Sequence, residues 1–181
     1  AHHPQLPPCV VYSVGSRNEL SFERAVKSDI GPHCEVHTFD MRANLTSSYA
    51  SGAEGHAWGI APTTFDDPAR ALRYKTYADT ARELGHTGSM IDILKIDCDG
   101  CEWDLYPTLF EEGAPAARQI LIELHQKDDG GVHPSTMKFF EEMHRRGYVI
   151  FHKEPNIQFW HVARCVEYSF LKLDDAFFAT H

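Results

Sequence analysis

Between positions 91 and 104 the chain reads IDILKIDCDGCEWD, so Asp97, Asp99 and Glu102 cluster around a single glycine after a short apolar run. Carboxylates delivered together can hold a polar ligand, move protons or bind a hard cation. Their position depends on what precedes them. Ile91, Ile93, Leu94 and Ile96 are mostly β-branched, which fits a buried strand of about six residues better than a helix. In open α/β sheets, ligands bind beyond the carboxyl ends of the strands, so these acids fall on the edge where chemistry is expected. Gly100 permits a sharp turn, and Glu102-Trp103-Asp104-Leu105 then opens a helix whose positive end favours acids. Capping that helix is the competing use of Asp99 and Asp104.

Glu123 and His125 end a second apolar run, QILIELH, and being two apart they share one strand face. Imidazole titrates near neutral pH, so His125 is the preferred general base, beside Asp97 and oriented by Glu102 or Glu123. Asp97, Glu102, Glu123 and His125 together also suit a magnesium- or manganese-type ion, which makes a divalent metal possible but not favoured. DCDG is not a helix-loop-helix calcium loop: its glycine comes fourth rather than sixth, and Thr108 stands where the twelfth-position glutamate belongs. Cys98 and Cys101 have dithiol spacing between a strand and a helix, but the surrounding acids disfavour a thiolate. No second close cysteine pair completes a zinc site there.

These groups need a frame, and the first part of the chain supplies one. The strand-like CVVYSV at 9–14 ends at Gly15-Ser16 before a helix over about 20–27, the plan of a nucleotide-binding βα unit. Phe22, Ala25 and Val26 are expected on that helix's inner face. Neither G-x-G-x-x-G nor G-x-x-x-x-G-K-[ST] is present, which counts against dinucleotides and triphosphates. The next strand, EVHTF at 35–39, ends at Asp40. An acid about 25 residues past a glycine turn is placed to accept hydrogen bonds from ribose hydroxyls. Residues 44–56 read as a loop, 57–60 as a short third strand, and 66–76 is ambiguous between a helical turn and an edge strand. Thr76-Tyr77-Ala78-Asp79 has capping-box spacing and starts a helix over 77–84. A further helix runs from Trp103 to about Glu112, and another opens at Pro134 or Ser135 with Met137, Phe140 and Met143 facing the core. Segments 148–153 and 160–173 are too close for a helical crossover and should pair antiparallel.

The 181 residues suit an irregular lead-in at 1–8 and a single domain at 9–181. A net charge of -9, with no basic run beyond Arg145-Arg146, disfavours nucleic acid and anionic membranes and favours a small or neutral partner, a small-molecule or glycan acceptor. No apolar run approaches the roughly 20 residues of a membrane helix. Five cysteines, Cys9, Cys34, Cys98, Cys101 and Cys165, leave the compartment open, and localisation and oligomeric state stay unknown. Asn44-Leu45-Thr46 matches the glycosylation triplet but reads as accidental, and Ala1-His2-His3 reads as a frayed terminus rather than a copper chelate.

Taken together, VYSVGS (11–16), EVHTFD (35–40), HAWGI (56–60), ELGHTGSMIDILKIDCDGCEWD (83–104), ILIELH (120–125) and EYSFLKL (167–173) resemble the FkbM-related group of class I S-adenosylmethionine-dependent methyltransferases. LKIDCDGCEW is the most specific piece, similar to that group's KID-x-EG-x-E-W with Asp99 in place of the usual glutamate. The resemblance spans about 9–173. It implies a three-layer Rossmann-like α/β fold with a seven-stranded sheet in the order 3-2-1-4-5-7-6 and strand 7 antiparallel. It also implies that Ser13, Gly15 and Ser16 approach the methionine part and ribose of S-adenosylmethionine, Asp40 the ribose hydroxyls, Ile60 the adenine and Asp97 the sulfonium. The first motif departs from the wider pattern, having no acid before a multi-glycine turn. The expected activity is methylation of a sugar or other small-molecule hydroxyl, with S-adenosylhomocysteine as product. The alternative is a non-catalytic methyltransferase-like binding domain, and a nicotinamide-dependent oxidoreductase is disfavoured by the missing glycine fingerprint.

Overall fold

A computed structural model describes residues 8–42, 51–126, 131–157, 165–174 and 177. The expectations for residues 1–7, for Asn44 to Thr46 and for a strand beginning at Trp160 lie outside the described residues.

Strand β1 (Val10–Val14) is buried along its whole length, as the apolar run requires, and leads through Gly15 to α1 (Ser21–Ala25), which continues as a π turn to Ile30. β2 (Glu35–Phe39) pairs parallel with β1, and β3 (Glu54–His56) pairs parallel with β2. After β4 (Gly59–Ile60), β5 (Phe65–Asp67) and β6 (Leu72–Lys75) comes α2 (Tyr77–Glu83), whose N-cap Thr76 accepts a hydrogen bond from the Asp79 peptide as the capping box anticipates. β7 (Met90–Ile96) pairs parallel with β1, and α3 (Glu102–Leu105) runs on as a 3-10 turn to Phe110. β8 (Ala116–His125), α4 (Thr136–Arg145), β9 (Tyr148–Pro155) and β10 (Cys165–Lys172) complete the chain.

The large sheet has the order β3-β2-β1-β7-β8-β10-β9. Numbered within that sheet alone, this is the anticipated 3-2-1-4-5-7-6. β10 is antiparallel to both neighbours, and the other pairings are parallel. Alternation along the strands divides the core. Tyr12, Phe39, Leu94, Ile96, Ile120 and Ile122 pack with Tyr77 of α2, Leu105 of α3, and Phe139 and Met143 of α4. Val11, Val36 and Ile93 pack on the other face with Phe22 and Val26 from α1 and its extension.

Four expectations need correction. The third strand of the large sheet is Glu54–His56, inside the segment read as a loop, because backbone pairing to β2 outweighs its Gly- and Glu-containing sequence. Gly59–Ile60 belongs instead to a small sheet, β4-β6-β5, which resolves the ambiguous 66–76 stretch as strand. On α1 the buried positions are Glu23 and then Val26, while Ala25 faces solvent. Met137 is 68% exposed and Phe139 takes the core position, since α4 starts at Thr136 and presents a different stripe.

Candidate active site

Three backbone contacts draw the carboxyl ends of β1, β2, β3 and β7 together. The Gly15 peptide donates to Phe39 O (2.9 Å), the Asp97 peptide to Val14 O (3.0 Å) and the Asp40 peptide to His56 O (3.1 Å). Gly15 has φ +85°, and a Cβ there would lie 1.7 Å from the Asp97 carbonyl oxygen, so no larger residue fits this crossing. Above it opens a cleft of about 330 Å³ lined by Gly15, Asp40, Ile60 and Asp97 among others. Four expected cofactor residues from four different segments therefore border one space.

The cleft has a polar and an apolar side. Both oxygens of Asp40 accept backbone hydrogen bonds, Oδ2 from Arg17 (2.7 Å) and Oδ1 from Arg42 (2.8 Å), which hold the carboxylate at the wall with further lone pairs to offer. Asp97 Oδ2 lies 3.2 Å from Lys95 Nζ. The exposed Arg17 guanidinium reaches across to Asp99, 3.1 Å away. Asp99 itself has φ +53°, and with Gly100 it forms the bend between β7 and α3. Phe39, Met41, Pro62 and Tyr74 give the apolar surface, and the Tyr74 hydroxyl donates to Met41 Sδ (3.0 Å). Ser13 and Ser16 do not line the cleft. Both are buried, Ser13 pointing from β1 toward the α1 side with no hydrogen-bond partner for its hydroxyl among the described residues.

Glu102 and His125 stand behind the Asp97–Gly100 bend rather than in the cleft lining. The Glu102 carboxylate is 1% exposed. Its Oε2 accepts from the Gly100 peptide (2.9 Å), and its Oε1 accepts from the His125 peptide (2.8 Å) and lies 2.9 Å from His125 Nδ1. Trp103 Nε1 donates to His125 O (2.9 Å), tying α3 to β8 a second time. His125 Nε2 faces Glu123 at 3.5 Å and Asp99 at 3.9 Å. The Glu102 hydrogen bond, reinforced by these carboxylates against the cost of burial, holds the imidazole above its usual pKa. Glu123 in turn accepts from Asn156 Nδ2 (2.8 Å) and from the Cys165 thiol (2.8 Å), and burial beside that acid pushes the thiol up to about 12.

The four-residue metal set does not assemble. Among the described residues Glu123 and His125 converge with Cys165, not with Asp97, and the Glu102 oxygens are already used. Cys98 and Cys101 are joined in a disulfide on the cleft wall, and Cys9 is joined to Cys34. Cys165 is a buried free thiol. The sequence reading missed Arg17, Met41, Pro62 and Tyr74. They come from turns and from the small sheet, where neither periodicity nor a motif marks them.

A family model described as a methyltransferase domain matches residues 3–172. No curated protein matches the chain in sequence. Among solved structures it is similar to the methyltransferase FkbM from Methylobacillus flagellatus KT, with TM-score 0.52, 13% identity, and 91% of this chain and 45% of that chain covered. This chain thus spans less than half the length of that protein. It is also similar to an rRNA methylase from Streptococcus thermophilus (TM-score 0.51, 10% identity, coverage 92% and 89%). A third likeness is to the 1,6-didemethyltoxoflavin-N1-methyltransferase of Burkholderia thailandensis, solved with S-adenosylhomocysteine bound (TM-score 0.50, 11% identity, coverage 92% and 72%). At these identities the likeness is one of fold.

Proposed function

The chain belongs to the methyltransferase-domain family, in the class I S-adenosylmethionine-dependent fold, and we propose that it methylates a hydroxyl of a sugar or other small molecule. The observation that carries this reading is the cleft at the ends of β1, β2 and β7, where Gly15, Asp40, Ile60 and Asp97 border one space. The donor set fits an adenosyl group: a carboxylate held by two peptides for the ribose hydroxyls, Ile60 and Phe39 beside an apolar wall for a purine, and Asp97 toward a cationic sulfur. S-adenosylmethionine supplies an electrophilic methyl group there. Asp97 stabilises positive charge, and Gly15 lets β1 and β7 close without side-chain bulk.

A hydroxyl acceptor has to lose a proton, and we assign that role to His125, which stands behind the bend with Nε2 3.9 Å from the cleft-lining Asp99 and is kept in orientation by Glu102 and adjoined by Glu123. Acid residues on this edge, Asp40, Asp97, Asp99 and Asp104, and the net charge of -9 favour a neutral acceptor over a polyanion. The test is transfer of labelled methyl from S-adenosylmethionine to parallel panels of small polyols and glycans, and of RNA. Product in the first panel, lost in His125→Ala with cofactor binding retained, is expected. Methylated RNA with unlabelled polyols would overturn the acceptor assignment.

A further inference from the structure

Away from the cofactor edge, at the beginning of β2, three metal-ligating side chains meet. Strand alternation places Glu35 and His37 on the same face, and the β1–β2 register sets Tyr12 beside His37. His86, in the turn between α2 and β7, joins them. Glu35 Oε1 lies 2.8 Å from His37 Nε2 and 3.3 Å from His86 Nε2, and the three ligand atoms are all within 4.8 Å of one another. The two imidazoles are buried, while the Glu35 side chain is 54% exposed and leaves one side open to solvent.

We propose that Glu35, His37 and His86 form a zinc-binding site, with a water molecule completing the coordination. Zinc takes imidazole nitrogens at about 2.0–2.1 Å and carboxylate oxygens at about 2.0–2.2 Å, so tetrahedral ligands sit roughly 3.3–3.5 Å from each other. Two of the separations, 2.8 and 3.3 Å, lie near that geometry, and the third, between the two imidazole nitrogens, lies within 4.8 Å, so side-chain rotation brings the set together. Two imidazoles with one carboxylate favour a first-row transition ion over magnesium or calcium, which prefer all-oxygen shells.

The outer ring nitrogens are already held as a metal site requires. His86 Nδ1 is 2.7 Å from the buried Tyr12 hydroxyl, and His37 Nδ1 is 2.9 Å from His56 Nε2. With Tyr12 and His56 donating inward, His37 Nε2–H donates to Glu35 and His86 Nε2–H faces the same carboxylate at 3.3 Å, which gives the metal-free arrangement. With the opposite polarity, both Nδ1–H groups donate outward and both Nε2 lone pairs face the ion. The same heavy atoms serve both states, each histidine keeps one proton, and no backbone change is needed. The ion would clamp β2 to the turn entering β7, remote from the cofactor cleft. Other convergent sets are poorer. The sulfurs of Cys9 and Cys34 are consumed in a disulfide, and Glu54 stands 3.8 Å from a His37 nitrogen already engaged with His56.

The experiment is zinc titration of the chelator-treated chain against a competing fluorescent chelator, with thermal midpoints read in parallel. One equivalent is expected, with a raised midpoint. Glu35→Gln and His86→Gln should each weaken binding by at least about tenfold and abolish the midpoint shift, whereas Glu54→Gln and Cys165→Ser should not. Glu35→Gln alters a half-exposed side chain, so its circular dichroism should match the parent and its zinc affinity remains readable if His86→Gln does not fold. No saturable binding at micromolar zinc, or equal affinity in Glu35→Gln, would overturn the site.

Discussion

Each oxygen of Glu102 has a backbone partner, and the carboxylate reaches both the bend after β7 and the end of β8. One buried side chain thereby fixes where Asp97 and Asp99 stand relative to His125. The same contact sets a titration. As the proposed base, His125 must be neutral to accept a proton, and Glu102 raises its pKa, so turnover should climb with pH along a limb displaced above the ordinary imidazole range. The sign for stability is the reverse: the His125–Glu102 pair contributes below the unfolded imidazole pKa and is lost as pH rises through the raised one. Glu102→Gln removes the charge that raises the imidazole. A pH profile of kcat should therefore show the limb moving to lower pH, and an unmoved limb would separate His125 from the proton transfer. The pairing of acids with His125 was legible in the spacing of IDCDGCEWD and LIELH. That the imidazole sits behind the bend was not, because strand periodicity gives a face and not a depth.

At the scale of elements, the parallel pairs β1–β2 and β1–β7 do most of the positioning. Their apolar, β-branched runs made them readable, as did the capping box of α2. Short edge elements escaped: β3 is held by pairing to β2 and not by its own sequence, and β4 to β6 have little apolar pattern. The β2–β3 pair carries a cost that acid should expose. Burial pushes His56 down to about 4, with His37 and Lys75 acting in the same direction and Glu83 opposing, and burial also lowers His37. Unfolded, these imidazoles bind protons near their ordinary value, so the unfolded chain is the more protonated from there down to about 4. Metal-free protein should lose on the order of 2–3 kcal/mol of stability across that interval. Urea midpoints measured from neutral pH downward check this, and His56→Gln should flatten the slope.

For the whole molecule, the antiparallel pairing of the last two strands followed from their closeness in sequence, whereas the sheet order came from the family resemblance and not from any periodicity. Disulfide pairing did not, since spacing alone cannot pair Cys9 with Cys34 or close Cys98 on Cys101. Among the described residues no helix is long and apolar enough to cross a membrane. With four of the five cysteines bonded and Cys165 buried, thiol titration without reductant should find no reactive thiol in the native chain and one after denaturation. Three thiols would show that one bond is absent. The Cys98–Cys101 bond borders the cleft, so it belongs to the same surface that the cofactor would touch. The most direct measurement of the central claim is calorimetric titration of S-adenosylhomocysteine into the oxidised chain and into Asp40→Ala. Saturable one-to-one binding in the parent, weakened at least about tenfold in the variant, is predicted from the loss of a charge-assisted ribose contact. No binding at millimolar ligand, or the same affinity in both proteins, would contradict the assignment of this cleft.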